Sequence, residues 1–210
     1  MFYLDPQGNY RVPELDNFGW LVYGFGTLRS SPPASLATLH QIHSDIVVPA
    51  EGQTGCLGDG DALVSNTPGT LVAVKTADCL PILLVDAANR AVAAVHAGWR
   101  GTVRQIVGAA VDAMRRNFDS RVQNLHAAIG PGIGGCCFEV GPEVAVEFGQ
   151  SGRVSLDLEE INRGQLLDAG VPAEQIYSAG LCTMCGEEHF WSYRRQRERA
   201  GRMHSFAGIR

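Results

Sequence analysis

The hydrophobic positions in the middle of the chain fall into three short apolar runs followed by one periodic stretch. Residues 70–74, 82–85 and 91–95 are rich in aliphatic side chains and show little alternation with polar ones, which predicts buried strands. Apolar residues then recur at every third or fourth position over 102–117, which is typical of one face of an α-helix. Strands and helices that follow one another in this way indicate a layered α/β domain.

The second half of the chain continues this alternation. Leu125–Ile129 is a short apolar strand, and a proline at the first position favours a short helix over 142–148. A second helix is predicted over 157–169, with Asp157 as its N-cap. Ile176–Ser178 is predicted as the last strand, before an aromatic and arginine-rich C-terminal segment.

Length and composition are those of an ordinary globular protein. The 210 residues suit a single domain over 1–210, and 45% of them are hydrophobic and 19% charged. A net charge of −5 argues against binding to a nucleic-acid backbone. The apolar runs are far too short to span a bilayer, and the first residues do not resemble an export signal. We therefore expect a cytoplasmic protein that binds neither nucleic acid nor a membrane.

Three polar segments beside the predicted strands carry side chains suited to chemistry. Asp78 and Cys79 lie between two strands, and His96 ends the third strand. Of His40 and His43, which cannot share one face of an extended chain, His43 is assigned to the site. Each residue also has an ordinary structural explanation, as a buried thiol, a turn carboxylate, or a core or solvent-facing histidine.

Arg100 and Gly101 stand where the predicted helix begins. Unpaired backbone N–H groups and the positive end of the helix dipole meet at such a position, and an arginine there offers a bidentate fork to an anion. This segment therefore predicts an anion-binding site, although the glycines also suit a simple turn.

His43, Cys79 and His96 together form a set of three ligands of the types that zinc accepts, with a fourth position open. Their wide separation along the chain matches no compact metal-binding motif. The same residues also allow a metal-free pair in which Cys79 is a nucleophile and His96 its base.

The other cysteines are not predicted to hold a second metal. Cys182, Cys185 and His189 supply three ligands at suitable spacing, but no second Cys-x-x-Cys motif completes the set. Cys136 and Cys137 are adjacent, and in an extended chain their side chains point in opposite directions. We expect buried thiols at Cys182 and Cys185, and we expect one of Cys136 and Cys137 to pack inward while the other lines the glycine loop. The arginine-rich run 194–202 suits a solvated face, but Arg194 and Arg195 are expected to border either the pocket or a subunit contact.

Six motifs occur in an order that matches a known family. They are Gln-Ile-His-Ser at 41–44, Gly-Asp-Ala-Leu-Val at 60–64, Thr-Ala-Asp-Cys-Leu-Pro at 76–81, His-Ala-Gly-Trp-Arg-Gly at 96–101, the glycine- and cysteine-rich segment 129–141, and Phe-Trp-Ser-Tyr-Arg-Arg at 190–195. From about residue 24 to its end the chain resembles the bacterial multicopper polyphenol oxidase or laccase-domain family, also called YfiH-like or peptidoglycan editing factor.

The resemblance implies a mixed α/β fold related to that of cytotoxic necrotizing factor, and a metal held by His43, Cys79 and His96. It also implies phosphorolysis of purine nucleosides, including adenosine, inosine and methylthioadenosine, together with adenosine deaminase activity. We expect His43, Cys79 and Asp78 to be catalytic, with Asp78 moving a proton in the deamination. The expected cofactor is zinc, with copper as the alternative.

Arg100, Gly101 and Arg29 are expected to contact phosphate or substrate. Many family members carry an arginine directly after a Phe-x-Thr motif near the start. Here Leu28 takes that position, and Arg29 follows one residue later.

Three other functions remain open at this point. The first is a cysteine hydrolase or amidase that edits peptidoglycan precursors with Cys79 as nucleophile. The second is a copper-dependent polyphenol oxidase, although six histidines are too few for a cluster of several copper ions in addition to a Cys-His₂ site. The third is a non-catalytic protein that binds a partner through the surface 191–202.

Overall fold

The computed structural model describes residues 1–210 as fifteen strands and six α-helices, joined by turns and short 3₁₀ segments. The strands are β1 (Tyr3–Leu4), β2 (Tyr10–Arg11), β3 (Leu21–Phe25), β4 (Ala37–His40), β5 (Val47–Pro49), β6 (Gly55–Asp59), β7 (Ala62–Ser65), β8 (Leu71–Thr76), β9 (Leu80–Asp86), β10 (Ala91–Ala97), β11 (Leu125–Ile129), β12 (Glu139–Val140), β13 (Val154–Ser155), β14 (Ile176–Ser178) and β15 (Met203–Ile209). The helices are α1 (Pro13–Asp16), α2 (Trp99–Val103), α3 (Ile106–Phe118), α4 (Pro142–Ala145), α5 (Leu158–Asp168) and α6 (Tyr193–Gln196).

Two mixed sheets form the body of the fold. The first has seven strands in the order β1-β2-β3-β15-β8-β4-β6, and the second has six in the order β14-β11-β9-β10-β7-β5. Strands β12 and β13 form a separate small ribbon. Each large sheet contains both antiparallel and parallel pairs, so the prediction of a mixed-sheet α/β fold is confirmed.

Alternating side chains of the second sheet supply two hydrophobic cores. Along β9, Leu80, Ile82 and Leu84 pack beneath helices α3 and α5, whereas Leu83 and Val85 face the seven-stranded sheet. The second sheet is therefore covered on both faces, which is why its strands show no polar alternation in the sequence. No helix in the structure is long and apolar enough to cross a membrane.

Most of the predicted elements in the middle of the chain are confirmed. The structure extends the three apolar runs to β8, β9 and β10 and gives β11 and β14 their predicted bounds. Asp157 caps α5 by accepting hydrogen bonds from the backbone N–H groups of Glu159 and Glu160. The helix predicted over 142–148 is a turn of α-helix that continues as a 3₁₀ segment.

The long helix predicted over 102–117 is wrong at its start. The chain breaks between α2 and α3 at Gln105, whose φ is +59°. Thr102 is held there by helix α5, because its carbonyl oxygen accepts from Gln165 Nε2 and its Oγ1 accepts from Asn162 Nδ2. These tertiary contacts position the break, and the hydrophobic spacing does not reveal them.

The prediction that the last strand lies at Ile176–Ser178 is also wrong. Strand β15 follows at Met203–Ile209 and lies in the middle of the seven-stranded sheet, between β3 and β8. Strand β15 was not recognised from the sequence, because the segment before it is rich in arginine.

Candidate metal centre and its cavity

Strand register brings the predicted ligands to one end of the six-stranded sheet. His96, near the end of β10, pairs with Pro81 near the start of β9, so Cys79 lies just beyond this pair. On the other side of β10, the His96 backbone N–H donates to the carbonyl oxygen of Asp61, immediately before β7. The turn that carries His43 leads into β5, which pairs in parallel with β7 and therefore starts at the same end.

His43, Cys79 and His96 form a compact group of metal ligands. One nitrogen or sulfur atom from each lies within 4.8 Å of the other two, and the two imidazole rings meet edge to face with centroids 4.9 Å apart. The chain bends sharply at His43, with a φ of +60°, and Asp78 beside Cys79 has a φ of +87°. Such backbone strain in non-glycine residues is often concentrated at functional sites.

Asp61 organises two of the three ligands from beneath. Its carboxylate is fully buried, and Oδ1 lies 2.8 Å from His96 Nδ1 and accepts from the His43 backbone N–H at 3.0 Å. Oδ2 accepts from both the backbone N–H and the hydroxyl of Ser44. A proton on Nδ1 of His96 leaves Nε2 free to bind a metal, which is how carboxylates support histidine ligands in zinc sites.

The charges around this group favour a carboxylate at Asp61 and a thiolate at Cys79. Burial raises the pKa of Asp61, but hydrogen bonds from His96 and Ser44 outweigh it and hold that pKa well below its usual range. Burial also raises the pKa of Cys79, yet the nearby charge of His96 and hydrogen bonds with both histidines lower it to about 6. A thiolate is the form of cysteine that binds metal or attacks a substrate.

Gly98 leaves room for the sulfur of Cys79. A Cβ atom at this position would lie 2.8 Å from Cys79 Sγ and 3.1 Å from His43 Cδ2. We expect Gly98→Ala to displace these ligands and to weaken zinc binding about tenfold or more. Gly108→Ala, in helix α3 where a Cβ has ordinary space, is the control. Zinc titration of both proteins tests this, and equal affinities would show that the turn tolerates the extra methyl group.

A cavity of about 990 Å³ opens above the three ligands. Aromatic side chains line part of it, namely Trp99, Phe138 and Tyr193. Five basic and three acidic side chains also line it, which gives a net positive wall in a chain with a net charge of −5. The basic residues are Lys75, Arg100, Arg194, Arg197 and Arg202.

Of the three residues predicted to contact phosphate or substrate, only Arg100 lines the cavity. Arg100 lines the cavity but is exposed, with its guanidinium carbon 4.2 Å from the Trp99 ring centroid. Gly101 is buried and does not line the cavity; it lets α2 pack closely against the backbone of Ser44. Arg29 is exposed and lies outside the cavity, so its contact with substrate stays a prediction without support from this geometry.

Asp78 lines the cavity and joins two of its walls. Its Oδ1 accepts from the hydroxyl of Thr183, and its Oδ2 accepts from the backbone N–H of Arg194 at 2.6 Å. Arg194 also reaches the carbonyl oxygen of Glu139, so it borders the cavity as expected. Arg195 instead donates to backbone carbonyls and braces the same segment from behind.

Four cysteines meet in a second group, and the expectation of buried thiols is wrong, because Cys136 and Cys185 are exposed and the other two are half-buried. The sulfur atoms of Cys136, Cys137, Cys182 and Cys185 all lie within 4.8 Å of one another. The expectation that adjacent Cys136 and Cys137 point apart is wrong, because the chain turns tightly here, with Gly134 O accepting from the N–H groups of residues 137 and 138. His189 lies elsewhere, with its Nδ1 3.4 Å from the Tyr10 hydroxyl.

Comparison with known proteins identifies the family. The model of the family described as multi-copper polyphenol oxidoreductase laccase matches residues 26–210. The chain belongs to this laccase family. A purine nucleoside phosphorylase of Deinococcus radiodurans is 42% identical over 183 residues, which is 82% of this chain and 70% of that protein. An adenosine deaminase, RL5, from an unknown prokaryotic organism is 40% identical over 75% of this chain and 64% of its own length.

Two solved structures share the whole architecture. YfiH of Bacillus licheniformis superposes with a TM-score of 0.90 at 26% identity, over 100% of this chain and 99% of that one. YlmD of Geobacillus stearothermophilus gives a TM-score of 0.89 at 28% identity, over 100% and 98% of the two chains. The expected YfiH-like fold is therefore confirmed.

The family name refers to several copper ions, but only one group of possible metal ligands in this chain contains histidine, namely His43, Cys79 and His96. Three of the other histidines have separate partners, since His40 pairs with Asp59, His126 contacts Tyr177 and His189 contacts Tyr10. The arrangement therefore suits a single metal ion at His43, Cys79 and His96.

Sequence reasoning missed two residues that shape the site. Asp61 belongs to the motif at 60–64, to which the sequence analysis assigned no role. A carboxylate directly before a buried strand was the signal that could have indicated a functional residue. Gln41 was likewise unassigned, yet its amide makes two hydrogen bonds of 2.8 Å with the backbone of Lys75 in the cavity wall.

Proposed function

We propose that this protein is a metal-dependent purine nucleoside enzyme. It cleaves adenosine, inosine and methylthioadenosine by phosphorolysis, and it also deaminates adenosine. The observation that carries the proposal is the group of His43, Cys79 and His96 at the base of a cavity with a basic wall. The relatives named as purine nucleoside phosphorylases and as an adenosine deaminase support it.

The three ligands fit a zinc ion with one open position. Zinc sites that take part in reactions have three protein ligands and an open fourth position, and histidine and cysteine are both among the residues that serve as ligands. The hydrogen bond that His96 Nδ1 donates to Asp61 and the space left by Gly98 both suit this use. A bound zinc ion would supply Lewis acidity at the base of the cavity. Copper is the alternative, because copper(II) binds such ligands more tightly than zinc.

The cavity wall offers groups for both parts of a phosphorolysis reaction. Trp99, Phe138 and Tyr193 provide apolar surface against which a purine base can stack. The basic residues provide charge for phosphate, which attacks the anomeric carbon of the ribose while the bond to the base breaks. The leaving nitrogen of the base takes up a proton. The protein contributes by holding the anion and the sugar in line.

In the deamination, water adds to the six-position of the purine and ammonia leaves. A group that moves a proton from the water to the amine is required. We assign this role to Asp78, which lies next to Cys79 and lines the cavity. Its hydrogen bonds to Thr183 and Arg194 hold the carboxylate in place for this task.

Product analysis tests the proposed function. Protein purified without added metal is analysed for zinc and copper, and is then incubated with adenosine with and without phosphate. We expect inosine as the product without phosphate, and adenine, hypoxanthine and ribose 1-phosphate to appear only when phosphate is added. Chelated protein and protein reloaded with zinc are the controls. Absence of both products from zinc-loaded protein would refute the proposal.

Arg100 is expected to affect phosphate binding without affecting the deamination of adenosine. Arg100 is exposed, so we expect Arg100→Gln to raise the phosphate KM only about fivefold, corresponding to about 1 kcal/mol. The rate of inosine formation from adenosine without phosphate should be unchanged, because deamination does not use phosphate. Arg115→Gln on helix α3, outside the cavity, is the charge-matched control. A parallel fall in both products would instead show that Arg100 supports the metal site.

A second candidate function has one observation in its favour. Burial raises the pKa of Cys79 and lowers that of His96, but the attraction between the two groups and their hydrogen bonds outweigh burial and bring the pKa of Cys79 to about 6 and that of His96 to about 9. Without a metal they therefore form a thiolate–imidazolium pair. Such a pair suits a cysteine hydrolase or amidase. Alkylation with iodoacetamide discriminates between the two. Zinc should protect Cys79 in a metalloenzyme, and hydrolysis of amide substrates by metal-free protein would favour the hydrolase.

A further inference from the structure

We propose that Cys136, Cys137, Cys182 and Cys185 bind a second, structural zinc ion. Four sulfur ligands at about 2.3 Å from one tetrahedral zinc ion lie about 3.8 Å from one another. The Cys136 sulfur lies 3.7 Å from that of Cys137 and 3.8 Å from that of Cys185, and the last two are 3.4 Å apart. Cys182 Sγ completes the group within 4.8 Å.

The local backbone is built to hold these sulfur atoms together. The backbone N–H of Gly134 donates to Cys182 Sγ at 3.3 Å, a type of contact that orients and stabilises a thiolate ligand. Glycine at position 134 also leaves room for the ligands. A Cβ atom there would lie 3.3 Å from Cys182 Cβ and 3.4 Å from Cys136 Sγ and would crowd both cysteines. The Cys-x-x-Cys segment is itself a turn, closed by the bond from Gly186 N–H to Cys182 O.

The donor set points to zinc in a structural role. Thiolates are soft ligands that select zinc, copper(I) or iron–sulfur clusters over hard cations. A site of four cysteines leaves no open position, which is the arrangement of zinc ions that stabilise folds rather than take part in reactions. It thus differs from the open group at His43, Cys79 and His96, and the inference does not depend on the proposed function.

The site joins two chain segments that are far apart in sequence and that both form the cavity wall. The backbone of Gly132 bonds to Leu181 and Thr183, and the Thr183 hydroxyl donates to Asp78. Zinc bound between the two cysteine pairs would therefore fix the segment that holds Asp78, next to Cys79. Its expected effect is on stability and on the order of the cavity wall.

Zinc content of four proteins tests the inference. Wild type, Cys136→Ser/Cys185→Ser, Cys79→Ser and the control Cys56→Ser are purified with a phosphine reductant and without added metal or chelator. Cys56 is an exposed cysteine that lines the cavity but belongs to neither ligand group, so it controls for zinc content. We expect two zinc ions per chain in wild type and Cys56→Ser, and one in each of the other two. Unchanged zinc content in the double variant would overturn the inference.

Cobalt titration of metal-free Cys79→Ser protein gives a second measurement that does not need the double variant to fold. We expect one equivalent of cobalt(II) with the intense sulfur-to-metal charge-transfer absorption of four thiolates in a tetrahedral site. A spectrum without these bands, or disulfide bonds among the four cysteines in the reduced preparation, would refute the site. Because Cys79 is absent from this protein, failure of the proposed catalytic metal leaves the result unaffected.

Discussion

Cys79→Ser is expected to lose the zinc bound with His43 and His96 and to lower both nucleoside activities at least about a hundredfold. Changes to residues that merely support a metal ligand cost about 10- to 100-fold in affinity or activity, so loss of the only sulfur ligand costs more. Serine is nearly the same size, but its hydroxyl is not ionised at neutral pH and is a poor zinc ligand. The substitution therefore changes the chemistry of the site with little change in packing.

Zinc analysis and product chromatography measure this effect together. Cys56→Ser makes the same thiol-to-hydroxyl change at an exposed cysteine that lines the cavity but belongs to neither ligand group, so it should retain the full zinc content. If Cys79→Ser keeps both its zinc content and its turnover, the assignment of Cys79 as a ligand is wrong.

Asp61→Asn is expected to destabilise the fold by about 3–5 kcal/mol and to weaken zinc binding about 10- to 100-fold. Both carboxylate oxygens accept backbone N–H groups, Oδ1 from His43 and Oδ2 from Ser44. An asparagine has one oxygen and one NH₂ group, so either orientation places a donor against a donor. The amide also cannot replace the charge that holds the proton on His96 Nδ1.

Asp59→Asn is a matched control for this substitution. Asp59 also pairs with a histidine, with Oδ1 2.9 Å from His40 Nδ1, but both side chains are largely exposed. Exposed pairs contribute about 0–1 kcal/mol, so this variant should remain close to wild type. Chemical denaturation and zinc titration of the two variants give the comparison. Similar losses in both would mean that burial of Asp61 does not matter.

The pH dependence of the Asp61 effect follows from the direction of its pKa. Because the folded protein lowers this pKa, the carboxylate stabilises the fold above its unfolded pKa of about 3.9. That stabilisation is lost as the pH falls below this value towards the folded pKa. The difference in free energy of unfolding between wild type and Asp61→Asn should therefore shrink below about pH 4. A difference that stays constant to pH 2 would contradict this origin.

The sequence by itself determined the middle of the fold and the residue types of the site. Buried strands such as β9 and β10 are evident because a sheet covered on both faces needs continuous apolar runs. Helix α5 is evident because its N-cap chemistry is local. The choice of His43, Cys79 and His96 rested on ligand chemistry and on motif order, and the structure brings these three together.

Tertiary structure alone decided the features that depend on contacts between distant segments. The break before α3 is held by side chains of α5, and β15 is a strand because two partners flank it. Asp61 acquires its role only when β7 and β10 align in register, which places its carboxylate beneath His96.

The four-cysteine group shows the same limit most clearly. Cys136 and Cys137 face one point because the chain turns at Gly134, and Cys182 and Cys185 join them through the bridge at Gly132. The number of residues between two cysteines predicts their contact only when both lie in the same helix, strand or turn. Ligands supplied by two segments become a site only when the fold fixes the distance between those segments.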